Sequence, residues 1–63
     1  LIKVNDKDMN FNGTVKELLI ALNINQNSCV VLVNDDIVKR ENLEDFYLKE
    51  GDHVEIVSFV GGG

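Results

Sequence analysis

The sequence predicts an α+β domain: a mixed sheet of four to five strands with one helix packed across one face. Three observations predict it. Apolar and polar residues alternate near both ends of the chain, in residues 1–5 and again in residues 52–59, the period-two signature of half-buried strands. A helical i, i+3, i+4, i+7 spacing stands out in one stretch, at Val15, Leu18, Leu19 and Leu22. Residues 29–33, Cys-Val-Val-Leu-Val, form a continuous apolar run rich in β-branched residues, as a buried strand does. Strands at both ends with a single helix between them give a layered sheet-and-helix arrangement.

The elements follow in order. Ile2 and Val4 face inward and Lys3 and Asn5 outward; Asp6, Lys7 and Asp8 make a polar turn; Met9 and Phe11 return on the core face, closing an N-terminal hairpin. Thr14 is a good N-cap, and Glu17, three residues on, completes a capping box. Ile20 and Ala21 are expected to widen the apolar stripe, and Asn23 to take the left-handed position that ends the helix, with Ile24 packing back on its last turn. After a polar loop at 25–28, residues 29–33 are expected as the central, well-buried strand. Asn34, Asp35 and Asp36 form a turn before the short return strand Ile37-Val38. Residues 39–42 are charged and exposed; Leu43, Phe46 and Leu48 drop apolar anchors into the core; Gly51 supplies a positive φ before the last strand. The first and last strands are expected to lie side by side.

Composition narrows the function classes. Sixty-three residues make one domain, near the lower size limit for independent folding, burying about 60% of the unfolded surface. A 44% apolar and 27% charged chain is globular in composition. No apolar run approaches the ~20 residues of a spanning helix, and no signal-peptide pattern opens the chain; Leu1 in place of Met points to a processed or trimmed start. A net charge of −5 argues against nucleic acid, which calls for a basic stripe, and suits docking on basic patches of partner proteins. The single Cys29 can form no internal disulfide, and metal-ligand spacing of Cys and His is missing, so a cytoplasmic setting, packing alone as the source of stability and no metal are expected. No nucleophile, base and orienter converge, so the chain is not expected to be an enzyme.

The last strand runs directly into Gly61-Gly62-Gly63. Residues 1–60 are therefore read as the folded domain and 61–63 as a flexible tail whose chemical group is the Gly63 carboxylate. Taken alone, such a tail is equally an ordinary flexible end. The pattern upstream decides between them. The helix start Gly-Thr-Val-x-Glu-Leu-Leu at 13–19, the Asn-x-x-Ile-Val-x-Arg stretch at 34–40, and Leu-x-x-Gly-Asp-x-Val-x-Ile at 48–56 leading to a C-terminal Gly-Gly resemble the β-grasp (ubiquitin-like) sulfur carrier proteins, and among them the ThiS type of thiamin thiazole biosynthesis. Three glycines stand where the general pattern asks for two.

The resemblance implies a β-grasp fold and a cycle in which partners do the chemistry. An E1-like adenylyltransferase of the ThiF type uses ATP to adenylate the Gly63 carboxylate. A cysteine desulfurase-derived sulfur donor converts the acyl-adenylate to a thiocarboxylate, and a thiazole synthase of the ThiG type takes the sulfur. It implies no bound cofactor, the ATP being consumed by the activating partner, and no membrane or nucleic-acid partner. Gly61, Gly62 and Gly63 would thread partner active sites. Phe59 and Val60, where body meets tail, are read either as a docking patch or, for Phe59, as the last core residue. Two alternatives share the tail: a molybdopterin-type sulfur carrier, and a ubiquitin-like tag joined to lysines through Gly63.

Other motifs weigh less. Asp8 to Gly13 matches half of a calcium loop, but Leu19 stands where its bidentate Glu belongs. Asn12-Gly13-Thr14 is a glycosylation sequon on paper, yet Thr14 is better used as a cap. Cys29 reads as a small core residue rather than a sulfur-carrying thiol, and His53 as an exposed strand residue. Lys39 and Arg40 are the one basic pair, either solvated surface or a contact for an acidic partner.

Overall fold

The computed structural model describes residues 1–59. Five strands and one helix follow the order β1 (Ile2–Val4), β2 (Lys7–Met9), α1 (Val15–Ala21), β3 (Cys29–Val33), β4 (Asp36–Val38) and β5 (His53–Ser58), with 3-10 turns at Gln26–Ser28 and Arg40–Asn42. The sheet order is β2-β1-β5-β3-β4. The β1–β5 pair is parallel and the others antiparallel. With the helix against one face, this is the β-grasp architecture.

Both hairpins turn on the same dipeptide. Asn5-Asp6 has φ 48° and 70°, and Asn34-Asp35 has φ 52° and 74°. Two consecutive positive φ values define the type I′ turn that matches strand twist, and Asn and Asp tolerate that region better than other side-chain-bearing residues. The two-residue turn corrects one expectation. The second strand restarts at Lys7, which pairs with Val4, rather than at Met9; Met9 still packs against the core, and Phe11 reaches it from beyond the strand.

The helix is closed at both ends by its own sequence. The Thr14 hydroxyl accepts from the Glu17 amide at 3.1 Å, and Glu17 Oε1 accepts from the Thr14 amide at 2.8 Å. The Val15 and Lys16 amides donate to the carbonyls of Phe46 and Leu43, at 2.9 and 3.1 Å. The first-turn donors that a helix leaves unpaired are thereby satisfied, and the 43–48 segment is fastened to the helix start. Gly13 precedes the cap because a Cβ there, at φ 144°, would fall 2.5 Å from Glu17 Oε1. At the other end Asn23 sits at φ 59°; its amide bonds the Ile20 carbonyl and the Ile24 amide bonds that of Leu19, a complete Schellman motif.

Val15, Leu18 and Leu19 are fully buried against Ile2, Val31, Val33, Val54 and Ile56 of the sheet and against Leu43 and Leu48. Ile20 is 67% exposed, correcting the wider stripe expected of it, because it follows Leu19 by one position and turns about 100° off the buried face. The apolar run 29–33 is not the central strand. β5 holds that place, and only Cys29, Val31 and Val33 of the run face the helix, while Val30 lies on the open side of the sheet. With one helix, one face of the sheet is covered.

Asp52, just before β5, is 4% exposed. Its Oδ2 accepts from the Lys49 amide at 2.8 Å and its Oδ1 from Asn34 Nδ2 at 3.0 Å. Burial pushes its carboxyl up, but the Lys49 amide, the Asn34 amide and the Lys49 charge outweigh it and hold the group below its ordinary value.

Two predictions follow from these locks. Thr14→Ala should cost about 1 kcal/mol, lowering Tm by about 4–8 °C for a domain this size, measured by thermal unfolding. For Asp52 the folded-state value lies below the unfolded one of about 3.9, so its stabilisation is present above about pH 4 and lost as the pH falls through the folded-state value. Tm should therefore drop more steeply on acidification below about pH 4 in the unaltered chain than in Asp52→Asn, seen as two pH–Tm curves that converge in acid.

Candidate functional site

The candidate site is the end of β5 and the sheet surface around it. Val54 and Ile56 point into the core and His53, Glu55 and Val57 outward. Phe59 completes the alternation at the strand's end and is 47% exposed, so it does not finish the core. Its amide donates to the Ser28 carbonyl at 3.0 Å, which keeps the chain beside β3 up to that point. Val60, Gly61, Gly62 and Gly63, the rest of the expected docking and threading residues, lie outside the described residues.

Phe59 has apolar company on the open face. Val57 pairs with Val30 across β3–β5, and Leu32 with Ile37 across β3–β4; Val30, Ile37 and Val57 are all exposed. Single exposed apolar residues are ordinary on a protein surface, but adjoining ones such as these are not.

Beside it lies a shallow 140 Å³ groove, lined by Cys29, Val30, Ile37, Lys39 and Arg40 among others. Cys29, opposite Ser58 in the β3–β5 register, is buried. Burial raises its thiol pKa, against a smaller opposing pull from Arg40, so it rests as a neutral thiol and a poor nucleophile. The basic pair Lys39 and Arg40 is exposed on this rim.

A wider open groove of about 550 Å³ runs along β5 between the two I′ turns, past Lys3, Asn5, Asp35, His53, Glu55 and Val57. It brings together no nucleophile, base and orienter. Among the described residues no group of three or more His, Cys, Asp or Glu is placed to hold a metal, and no helix is long and apolar enough to cross a membrane.

The residues that hold β5 are polar ones that pattern reading passed over. Asn34 accepts from the His53 amide through Oδ1 at 3.0 Å, donates its Nδ2 to Asp52, and donates its own amide to the His53 carbonyl at 2.8 Å. Asn5, on the other side, accepts from the Ile56 amide at 2.8 Å and donates to the Ile56 carbonyl at 3.2 Å. The available signal was the repeated Asn-Asp dipeptide, each time after an apolar strand.

What the described part of this site offers is an exposed apolar strand end, Phe59 beside Val57 and Val30. Over its whole length the chain is 32% identical to the sulfur carrier protein ThiS of Bacillus subtilis, covering 100% of both chains. It is 34% identical over 62 residues to a thiazole synthase of Paramagnetospirillum magneticum, covering 95% of this chain and 19% of that much longer protein. The crystal structure of the thiamine biosynthesis protein ThiS from Geobacter metallireducens superposes with a TM-score of 0.82 at 34% identity, covering 98% of this chain and 97% of that one; a solution structure from the same organism gives 0.76 at 36% identity, covering 98% and 86%. The ThiS family model matches residues 2–63, and the chain belongs to the ThiS family.

Proposed function

We propose that this chain carries sulfur for the thiazole ring of thiamin, as a thiocarboxylate on Gly63. The observation that carries the reading is the family match over residues 2–63, which takes in the glycine run together with the β5 strand that leads to it. A carboxylate is a poor electrophile. Transfer of AMP from ATP to the Gly63 carboxylate, with release of pyrophosphate, gives a mixed anhydride with a good leaving group. A sulfur nucleophile then attacks the acyl carbon, the C–O bond to AMP breaks, and sulfur replaces one carboxylate oxygen. Nucleotide binding and stabilisation of the tetrahedral intermediate are the activating enzyme's work.

The carrier is a co-substrate. Its part is reach and docking. Val60 to Gly63 fully extended spans at most about 14 Å, and glycine lets such a segment pass a channel that a Cβ would block. The partners of this reading are an E1-like adenylyltransferase, a desulfurase-derived sulfur donor and a thiazole synthase; a thiazole synthase with a segment similar to this chain supports the last. The reading places the cycle in the reducing cytoplasm, which suits a chain with one free cysteine. Phe59, beside Val57 and Val30, anchors the docking patch of this reading, and Val60 follows it in sequence as the other docking candidate.

Intact mass spectrometry tests the reading. Incubation with ATP, an E1-like activating enzyme, a cysteine desulfurase and cysteine should add the mass difference of one sulfur for one oxygen, and a chain lacking Gly63 should gain nothing. An unchanged mass with a demonstrably active activating enzyme would overturn sulfur carriage. The docking patch is tested separately. Phe59→Asp should raise KM for the carrier in the adenylation assay about tenfold or more, as loss of an interface anchor does, while Tm moves little because the side chain is half exposed.

A further inference from the structure

We propose that Asn5 is a positioning residue for transfer at the tail: its carboxamide stands in for a strand residue beside Ile56 and so aims the end of β5. The inference rests on the sulfur-carrier reading and adds a residue to it. In the parallel β1–β5 ladder, the Lys3 and Asn5 amides donate to the carbonyls of Asp52 and Val54, each at 2.9 Å. Backbone groups along a strand face the same neighbour at every second residue, so the N–H and C=O of Ile56 are the next pair directed toward β1. Among the described residues no third rung of strand pairing meets them. The chain reverses at Asn5-Asp6, and the β1–β5 pairing ends at Val4–Val54.

The Asn5 side chain fills that place. One amide group both accepts from the Ile56 N–H at 2.8 Å and donates to the Ile56 C=O at 3.2 Å, as a neighbouring peptide would. Ile56 stands seven residues before Gly63. On the opposite side of β5 the Phe59 amide is held by the Ser28 carbonyl. The strand is thus gripped from both flanks just before the tail, and on the β1 flank the last grip is Asn5. Without it, the strand beyond Val54 keeps the β3 pairing alone and gains freedom to swing about that edge. Docking through the open face would be unaffected, but the reactive end would enter the activating site less often on line.

Asn5→Gly isolates the clasp, because glycine accepts the φ of 48° at this turn without strain and removes only the amide. Asn34→Gly is the matched control. It removes a carboxamide from the same turn type, there bonded to His53 and Asp52 at the start of β5, and leaves Ile56 untouched. At a temperature where circular dichroism shows all chains folded, amide hydrogen exchange should quicken at Ile56 in Asn5→Gly and not in Asn34→Gly. Adenylation by an E1-like enzyme should then show kcat lowered about tenfold with KM for the carrier unchanged, the signature of misaligned reacting groups. Asn5→Asp, which keeps the turn and the acceptor but loses the donor to the Ile56 carbonyl, should shift both readouts in the same direction. Unaltered kcat in folded Asn5→Gly and Asn5→Asp would overturn the proposal while leaving sulfur carriage standing, as would an equal loss in Asn34→Gly. An unaltered chain that gains no adenylate would overturn sulfur carriage, and the positioning role with it.

Discussion

The parallel pairing of β1 with β5 is the constraint on which the structure turns. Two parallel neighbours cannot be joined by a tight turn, so everything between Val4 and His53 serves as one long crossover. The helix packs over the sheet within that crossover, and β3 and β4 are laid down on the far side of β5. The last strand in sequence becomes the middle strand in space. Its first residues lie between β1 and β3, and its C-terminal half keeps β3 on one side and the Asn5 side chain on the other.

The same crossover explains why one sheet face stays open. The described residues supply one helix of two turns, and its three buried side chains, Val15, Leu18 and Leu19, cover one side. The 43–48 segment adds Leu43 and Leu48 to that side and is tied to the helix start through the Val15 and Lys16 amides. Nothing among the described residues is left to cover Val30, Ile37 and Val57. A domain this small has no interior to spare for a reaction chamber. What it exposes instead is a surface, whose apolar part adjoins Phe59 at the end of β5. Division of labour between a bare carrier and larger enzymes follows from size as much as from chemistry.

Much of this was legible in the sequence where one residue type has one physical use. Thr14 and Glu17 spelled a capping box, Asn23 a left-handed stop and Gly51 a positive φ; all three are observed. Alternation in residues 52–59 correctly sorted Val54 and Ile56 from Glu55 and Val57. What misled was hydrophobicity without context. The run at 29–33 reads as buried on both faces because composition cannot say that the other face has no cover, and Ile20 reads as core because the stripe's width depends on how one helix sits on the sheet. The polar holds were illegible for a different reason. Asn34 and Asp52 look like turn material and Asn5 like an outward strand residue, and only the register of β5 against both hairpins shows that the two asparagine side chains reach its backbone. For the site, the glycine run and the motifs before it were readable as a family resemblance, whereas the clasp at Ile56 had no pattern to announce it.

These asparagines answer a difficulty that short strands create. β1, β2 and β4 have three residues each, against six in β5, so β5 outruns its neighbour on the β1 side. Short edge strands discourage pairing with other chains, and no disulfide is available to stiffen the sheet, Cys29 being free. A longer β1 would pair Ile56 with backbone but would also lengthen β2, the exposed edge joined to it by a two-residue turn. A carboxamide at the turn completes the ladder without adding an edge. It carries the donor and acceptor of a peptide in a side chain, at a φ that asparagine tolerates. Asn34 does half of this at the opposite end of β5, its Oδ1 accepting from the His53 amide while its Nδ2 donates to the Asp52 carboxylate and fixes the entry to the strand. The central strand is thus secured at its start by one asparagine and toward its end by the other, and the sheet remains small without leaving Ile56 unpaired.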